Sequence, residues 1–148
     1  GGAEWPRIAL TAPVLAVGAL ICFLCSRGMN SLALGDEMAK GLGENVFRTR
    51  LISALGAVIL AGAATAIAGP IGFVGLIIPH VCRMLVGTDH RWLLPFSAIA
   101  GAALLTASDI VGRVIAPSSE EIQVGIITAI IGAPFFIWIV RRQKVREL

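Results

Sequence analysis

The residues best placed to do chemistry in this 148-residue chain are Asp109 and Arg113. They stand four apart inside an apolar run, so a helix would put them on one face. A charge at membrane depth is costly unless it is paired or wet, which keeps Asp109 away from lipid. Two readings are open: a local ion pair in which the two groups solvate each other, or a functional role near one mouth of a pathway. A carboxylate so placed could also carry protons, the device of an ion-coupled transporter. Other candidates are few. His80 and His90 are the only histidines, too few for a histidine-based metal or nucleophile site. His80 follows Pro79 at a helix corner, where structural hydrogen bonding competes with direct contact to a substrate. Cys22 and Cys25 form a C-x-x-C, yet inside an apolar run and with no facing Cys or His pair they read as small packing residues. Three cysteines make no disulfide framework. The sequence has no G-x-x-x-x-G-K-[ST] phosphate loop, no H-E-x-x-H and no G-x-S-x-G. No catalytic residue, metal or cofactor is therefore expected.

Membrane helices must position these residues. The sequence is 57% hydrophobic and 14% charged, with a mean hydropathy of +0.88, against about 25% charged in soluble domains. A helical span needs roughly 20 mostly apolar residues, and residues 7–25, 51–68, 73–86, 93–114 and 124–140 are the candidates. The third is short and carries Pro79, His80 and Arg83. The expected fold class is all-α, a polytopic membrane bundle of about five transmembrane helices. Gly1-Gly2-Ala3-Glu4-Trp5-Pro6 shows no initiator Met, basic n-region or cleavage site and reads as a loop leading into a helix. The chain is expected to be a fragment of a longer protein.

Charge placement says more than the net charge of +3. Arg27, Lys40, Arg48, Arg50, Arg91, Arg141, Arg142, Lys144 and Arg146 fall after the first, third and fifth spans, whereas Glu4, Glu120 and Glu121 fall in the other connections. By the positive-inside rule the N-terminus is outside and the C-terminus is cytoplasmic. The basic tail from Arg141 to Arg146 directly follows a span, so an anchor to anionic lipid explains it better than nucleic-acid binding. Trp5, Trp92 and Trp138 sit near predicted span ends, as interfacial aromatics do.

Between the first two spans lies the longest polar interval, residues 26–50. Its centre, residues 31–43, reads as two short helical pieces hinged at glycine: Asn30 or Ser31 caps the first, Asp36 and Glu37 suit the first turn of the second, and Gly41 and Gly43 end it. Leu32, Leu34, Met38 and Leu42 give this loop an apolar stripe, either a plain surface connection or a docking surface for a partner. Further on, Gly69, Pro70, Gly72, Gly75 and Pro79 interrupt an apolar stretch ending at His80. Broken backbone at membrane depth is tolerated only where it packs on protein or lines a cavity, so a pathway wall and a helix–loop–helix corner both fit. The second span carries a small-residue surface from Ala57 to Ala68 that allows close helix contact. In the fifth, Pro134 should kink the helix after Gly132 and Ala133.

Taken together, these segments resemble the FecCD-type permeases, the membrane subunits of ABC importers for ferric siderophores, haem and vitamin B12. The resemblance covers nearly the whole chain: Met29-Asn30-Ser31-Leu32-Ala33-Leu34-Gly35 with Ala39 and Leu42-Gly43, the run from Gly69 to His80 with Arg83, Asp89-His90-Arg91 with Leu93-Leu94-Pro95, Asp109 with Arg113, and Val124-Gly125 through Gly132-Ala133-Pro134-Phe135-Phe136. Any one of these alone is weak. Their order and spacing make the match specific.

The resemblance implies that residues 1–148 are the C-terminal half of a ten-helix permease, helices six to ten, working as a homodimer or pseudo-dimer. It implies a pair of cytoplasmic coupling helices docking on a separate ATPase, carried by Ser31, Leu32, Leu34, Gly35, Asp36, Glu37, Ala39 and Gly43. It also implies that Arg113, oriented by Asp109, meets an extracytoplasmic substrate-binding protein, and that Gly72, Gly75, Pro79, His80, Gly125, Gly132 and Pro134 belong to the pathway. The expected location is the bacterial inner membrane, with ferric siderophores favoured over haem or vitamin B12. Without the five preceding helices, the 148 residues are not expected to transport alone. An ion-coupled transporter using Asp109 and a non-transporting scaffold are the alternatives.

Overall fold

The computed structural model describes residues 5–115 and 124–144. Residues 1–4 of the expected opening loop, the acidic pair Glu120 and Glu121, and the tail at Arg146 lie outside the described residues, as does the side chain of Lys144; Trp5 and Pro6, expected in that loop, instead open α1. The described residues form helices and no strands: α1 (Trp5–Leu24), α2 (Ser26–Leu32), α3 (Asp36–Gly41), α4 (Val46–Ala68), α5 (Val74–Val86), α6 (His90–Ile115) and α7 (Val124–Lys144). Four of them, α1, α4, α6 and α7, are long and apolar enough to cross a membrane. The third expected span is the exception. At 13 residues, α5 rises only ~20 Å at 1.5 Å per residue, short of the roughly 30 Å hydrocarbon core. Its start is delayed by Gly69, whose φ of +76° ends α4, and by the irregular residues that follow it.

Two boundaries differ from expectation for identifiable reasons. The helix α2 begins at Ser26, almost continuous with α1, so Asn30 and Ser31 lie within it and do not cap its start. The helix α4 begins at Val46 rather than residue 51 because Asn45 caps it, its side-chain oxygen accepting from the Arg48 N–H at 3.0 Å.

The chain divides into two compact units. One comprises, of the described residues, 5–69 and 86–94. Here α1 packs on α4 through small residues: a Cβ at Gly18 would come within 2.9 Å of Leu60 Cγ, and one at Gly56 within 2.8 Å of Cys22 Sγ. Gly56 and Ala63, seven residues apart, are the buried residues of the apolar part of α4. Cys22 is thus seated as a packing residue in that seam. Most of the small-residue surface from Ala57 to Ala68 is otherwise open.

The second unit comprises, of the described residues, 70–85, 95–115 and 124–144. Here α7 receives the turn that precedes α5. A Cβ at Gly125 would approach the Pro70 carbonyl oxygen to 2.6 Å, and one at Gly132 would meet Phe73 Cβ at 2.5 Å. Phe73 is the one described non-glycine residue with positive φ, at +65°, uncommon for a bulky side chain. Its ring packs edge-on against Phe136, centroids 6.4 Å apart. The notch at Gly132 and the Phe136 ring are what hold this backbone conformation in place.

Candidate functional site

The loop between α1 and α4 folds into a helical hairpin. Gly35, at φ +101° and ψ 155°, lies between α2 and α3 in a region essentially closed to residues with a Cβ. At the far end Gly43 adopts φ +83°. Its N–H donates to Lys40 O and the Glu44 N–H to Ala39 O, both at 3.0 Å, the paired bonds of a Schellman motif that use up the end carbonyls of α3. Asp36 and Glu37 occupy the first turn of α3 and Lys40 the last, favourable at both ends of the helix dipole.

Side chains then fasten the hairpin to α4. Arg50 donates through Nη1 to Asp36 Oδ2 at 3.1 Å and through Nη2 to Asp36 Oδ1 at 2.7 Å. The Thr49 hydroxyl donates to Glu44, and this pair closes over Gly28, where a Cβ would meet Thr49 Cγ2 at 2.6 Å. Ala39 has 0% of its surface exposed and supports the hairpin from inside. Leu34, Met38 and Leu42 point the other way, 62%, 61% and 65% exposed. Leu32 and Ser31 are half-buried, and Gly35, Asp36, Glu37 and Gly43 exposed. The residues expected to form one surface are therefore brought together, Ala39 beneath it.

Sequence reading missed a third attachment. Asn30, near the end of α2, donates through Nδ2 to Asp89 Oδ1 at 2.7 Å, while its own Oδ1 accepts from the His90 backbone N–H at 2.8 Å and lies 2.7 Å from His90 Nδ1. The oxygen has no proton to give, so His90 Nδ1 is the donor in that contact. Asp89 Oδ1 also accepts from the Arg91 N–H at 3.0 Å, making Asp89 the N-cap of α6. The Arg91 N–H and then the Asn30 amide hold the Asp89 carboxyl below its ordinary range. The residue types were visible in Met29-Asn30 and Asp89-His90, but nothing in their spacing pairs positions about 60 apart.

The remaining expected sites are separate features. Arg113 Nε donates to Asp109 Oδ2 at 2.8 Å, with the two side chains 78% and 43% exposed. The local pair therefore forms and leaves most of the guanidinium free to meet another group. Around the broken segment, Gly72, Gly75 and Pro134 are exposed and Pro79 and His80 half-buried, whereas Gly125 and Gly132 are closely packed as described above. At the end of α7, the Arg142 guanidinium lies 4.6 Å from the ring centre of Trp138, a cation–π contact.

These elements define a class: a polytopic, all-helical membrane protein with a rigid, apolar-tipped helical hairpin between two of its spans. The profile of the FecCD transport family matches residues 1–142, and the chain belongs to that family. It is 50% identical over 131 residues to the probable siderophore transport system permease YfiZ of Bacillus subtilis, covering 88% of this chain and 39% of YfiZ. It is 52% identical over 131 residues to the ferric enterobactin transport system permease FepD of Escherichia coli, covering 88% of this chain and 38% of FepD. Among solved structures, a metal-chelate type ABC transporter in an inward-facing conformation matches with a TM-score of 0.80 and 37% identity, over 94% of this chain and 44% of that one. The chain thus spans about two fifths of the length of the curated relatives it matches.

Proposed function

We propose that this chain is the C-terminal half of the membrane-spanning permease of an ATP-driven importer, with a ferric siderophore as substrate. The observation that carries the reading is the hairpin: three large apolar side chains, Leu34, Met38 and Leu42, are exposed on a loop that Gly35, the Schellman motif and the Asp36–Arg50 pair make stiff. An exposed apolar surface on a rigid support is what a partner needs in order to push on a membrane protein. Here the partner is a cytoplasmic ABC ATPase, which closes on ATP. Its differential affinity for ATP in the closed state biases the permease between inward- and outward-facing forms. The siderophore assignment leans on the names of YfiZ and FepD.

The rest of the assembly follows from charge. Arg27, Lys40, Arg48, Arg50, Arg91, Arg141 and Arg142 lie at the hairpin, at the α5–α6 turn and at the end of α7, so those parts face the cytoplasm of a bacterial inner membrane and the start of α1 faces outward. Arg113, held by Asp109, meets an acidic group on an extracytoplasmic binding protein. The open small-residue surface of α4 packs on the remainder of the permease or on a second subunit. The pathway runs beside the broken segment from Gly72 to His80.

The test is uptake of radio-iron-labelled siderophore by proteoliposomes holding the full-length permease, its ATPase and its binding protein. Uptake that requires ATP hydrolysis supports the proposal. Uptake driven by an ion gradient without ATP overturns it, and ATP-driven uptake of haem or cobalamin alone would reassign the substrate.

A further inference from the structure

From the geometry of Asn30 we infer that it is a positioning residue that locks the coupling hairpin to the head of α6, so that a push on the hairpin is delivered to α6 as well as to α1 and α4. This deepens the permease reading and rests on it. The hairpin continues from α1 and is tied to α4 by Asp36–Arg50 and Glu44–Thr49. Neither of those pairs reaches the start of α6.

Asn30 closes that gap with both ends of its amide. A helix leaves its first backbone N–H groups without internal partners. In α6 the Trp92 and Leu93 N–H groups go to Asp89 O, at 3.1 and 2.9 Å, and the Arg91 N–H goes to the Asp89 side chain. The His90 N–H is taken by Asn30, 60 residues earlier. One cap position of α6 is thus supplied by the hairpin itself. The Nδ2 donation to Asp89 makes the arrangement reciprocal and charge-assisted, the stronger class of hydrogen bond. The same helix carries Asp109 and Arg113 in its later turns.

The chemistry permits a discriminating exchange. Asn30→Asp alone sets a carboxylate against the Asp89 carboxylate across what is now a 2.7 Å hydrogen bond, breaking the lock. Combined with Asp89→Asn it restores an amide facing a carboxylate: residue 30 still accepts from the His90 N–H, and asparagine still caps α6. The full importer would be purified with its ATPase, reconstituted, and assayed for siderophore uptake and ATP hydrolysis in the same vesicles. The expected result for Asn30→Asp is retained ATPase, hydrolysis near the wild-type rate, and uptake per ATP lower by about tenfold, the factor set by 1.4 kcal/mol. The double variant recovers most of that ratio. Should Asn30→Asp fail to assemble, Asn30→Ser removes the amide without adding charge and is read by the same ratio. An unchanged ratio in the single variant, or a double variant that assembles but does not recover, overturns the inference. Absence of the ATPase from the wild-type preparation would instead count against the permease reading.

Discussion

Arg50 grips Asp36 across 14 residues with two hydrogen bonds, one from each terminal nitrogen of the guanidinium to a different carboxylate oxygen. The pair ties the first turn of α3 to the second turn of α4, but both side chains are about half exposed, so it fixes direction more than it adds stability. The larger constraint on the hairpin is the backbone of Gly35.

Those two constraints should separate on mutation. Arg50→Ala should cost about 1 kcal/mol or less, as exposed ion pairs do. Gly35→Ala should cost ~1–3 kcal/mol, because φ +101° with ψ 155° is a conformation only glycine adopts readily. Hydrogen exchange over residues 31–43 is the readout, with markedly faster exchange in Gly35→Ala than in Arg50→Ala. The reverse order would show that the ion pair, not the turn, sets the hairpin.

The contact of Gly132 with Phe73 predicts a sharp difference between two glycines in the same unit. Gly132→Ala drives a methyl group into Phe73 Cβ, 2.5 Å away, and should destabilise by about 1–3 kcal/mol. Gly101→Ala, whose nearest neighbour would be Val74 Cγ1 at 4.0 Å, should be neutral or stabilising by up to ~1 kcal/mol through helix propensity. Thermal unfolding of the detergent-solubilised full-length protein distinguishes them.

Asp109→Asn keeps a hydrogen-bond acceptor for Arg113 but removes the charge. As an orienting group, Asp109 is expected to give partial loss of uptake and weaker capture of the binding protein. Complete loss of uptake with normal binding-protein capture would point to a proton carrier.

Acid should weaken the cap of α6. The Asp89 carboxyl is held below its unfolded value by the Arg91 N–H and Asn30, so its contribution is present above the unfolded pKa and is lost as the pH falls through the lower, folded one. Below the ordinary carboxylate range, Tm should therefore fall more in wild type than in Asp89→Asn, whose cap does not titrate. Parallel curves would contradict this.

Much of the architecture was legible in residues whose signals are local. Apolar runs marked α1, α4, α6 and α7, Gly35 and Gly43 marked the turns of the hairpin, and the i, i+4 spacing marked Asp109–Arg113. Two failures, at Asn30 and at Phe73, share a cause, which is dependence on distant partners. Asn30 is a plausible cap by residue type, and only the tertiary position of Asp89 and His90 gives it another use. A continuous apolar stretch from residue 73 concealed that Phe73 takes a positive φ, a conformation held by Gly132 and Phe136 on another helix. The start of α4 has a local signal, the Asn45 cap, which the polar residues Arg48, Thr49 and Arg50 obscured.

The exposed tip of the α2–α3 hairpin is the surface we propose an ATPase pushes on. Its most direct test is co-purification of the ATPase with the full-length permease carrying Leu34→Glu and Met38→Glu, positions that are solvent-exposed and whose substitution should leave the hairpin fold intact. The ATPase should be lost while the permease remains folded and membrane-inserted. Undiminished co-purification, with ATP-driven uptake preserved, would contradict it.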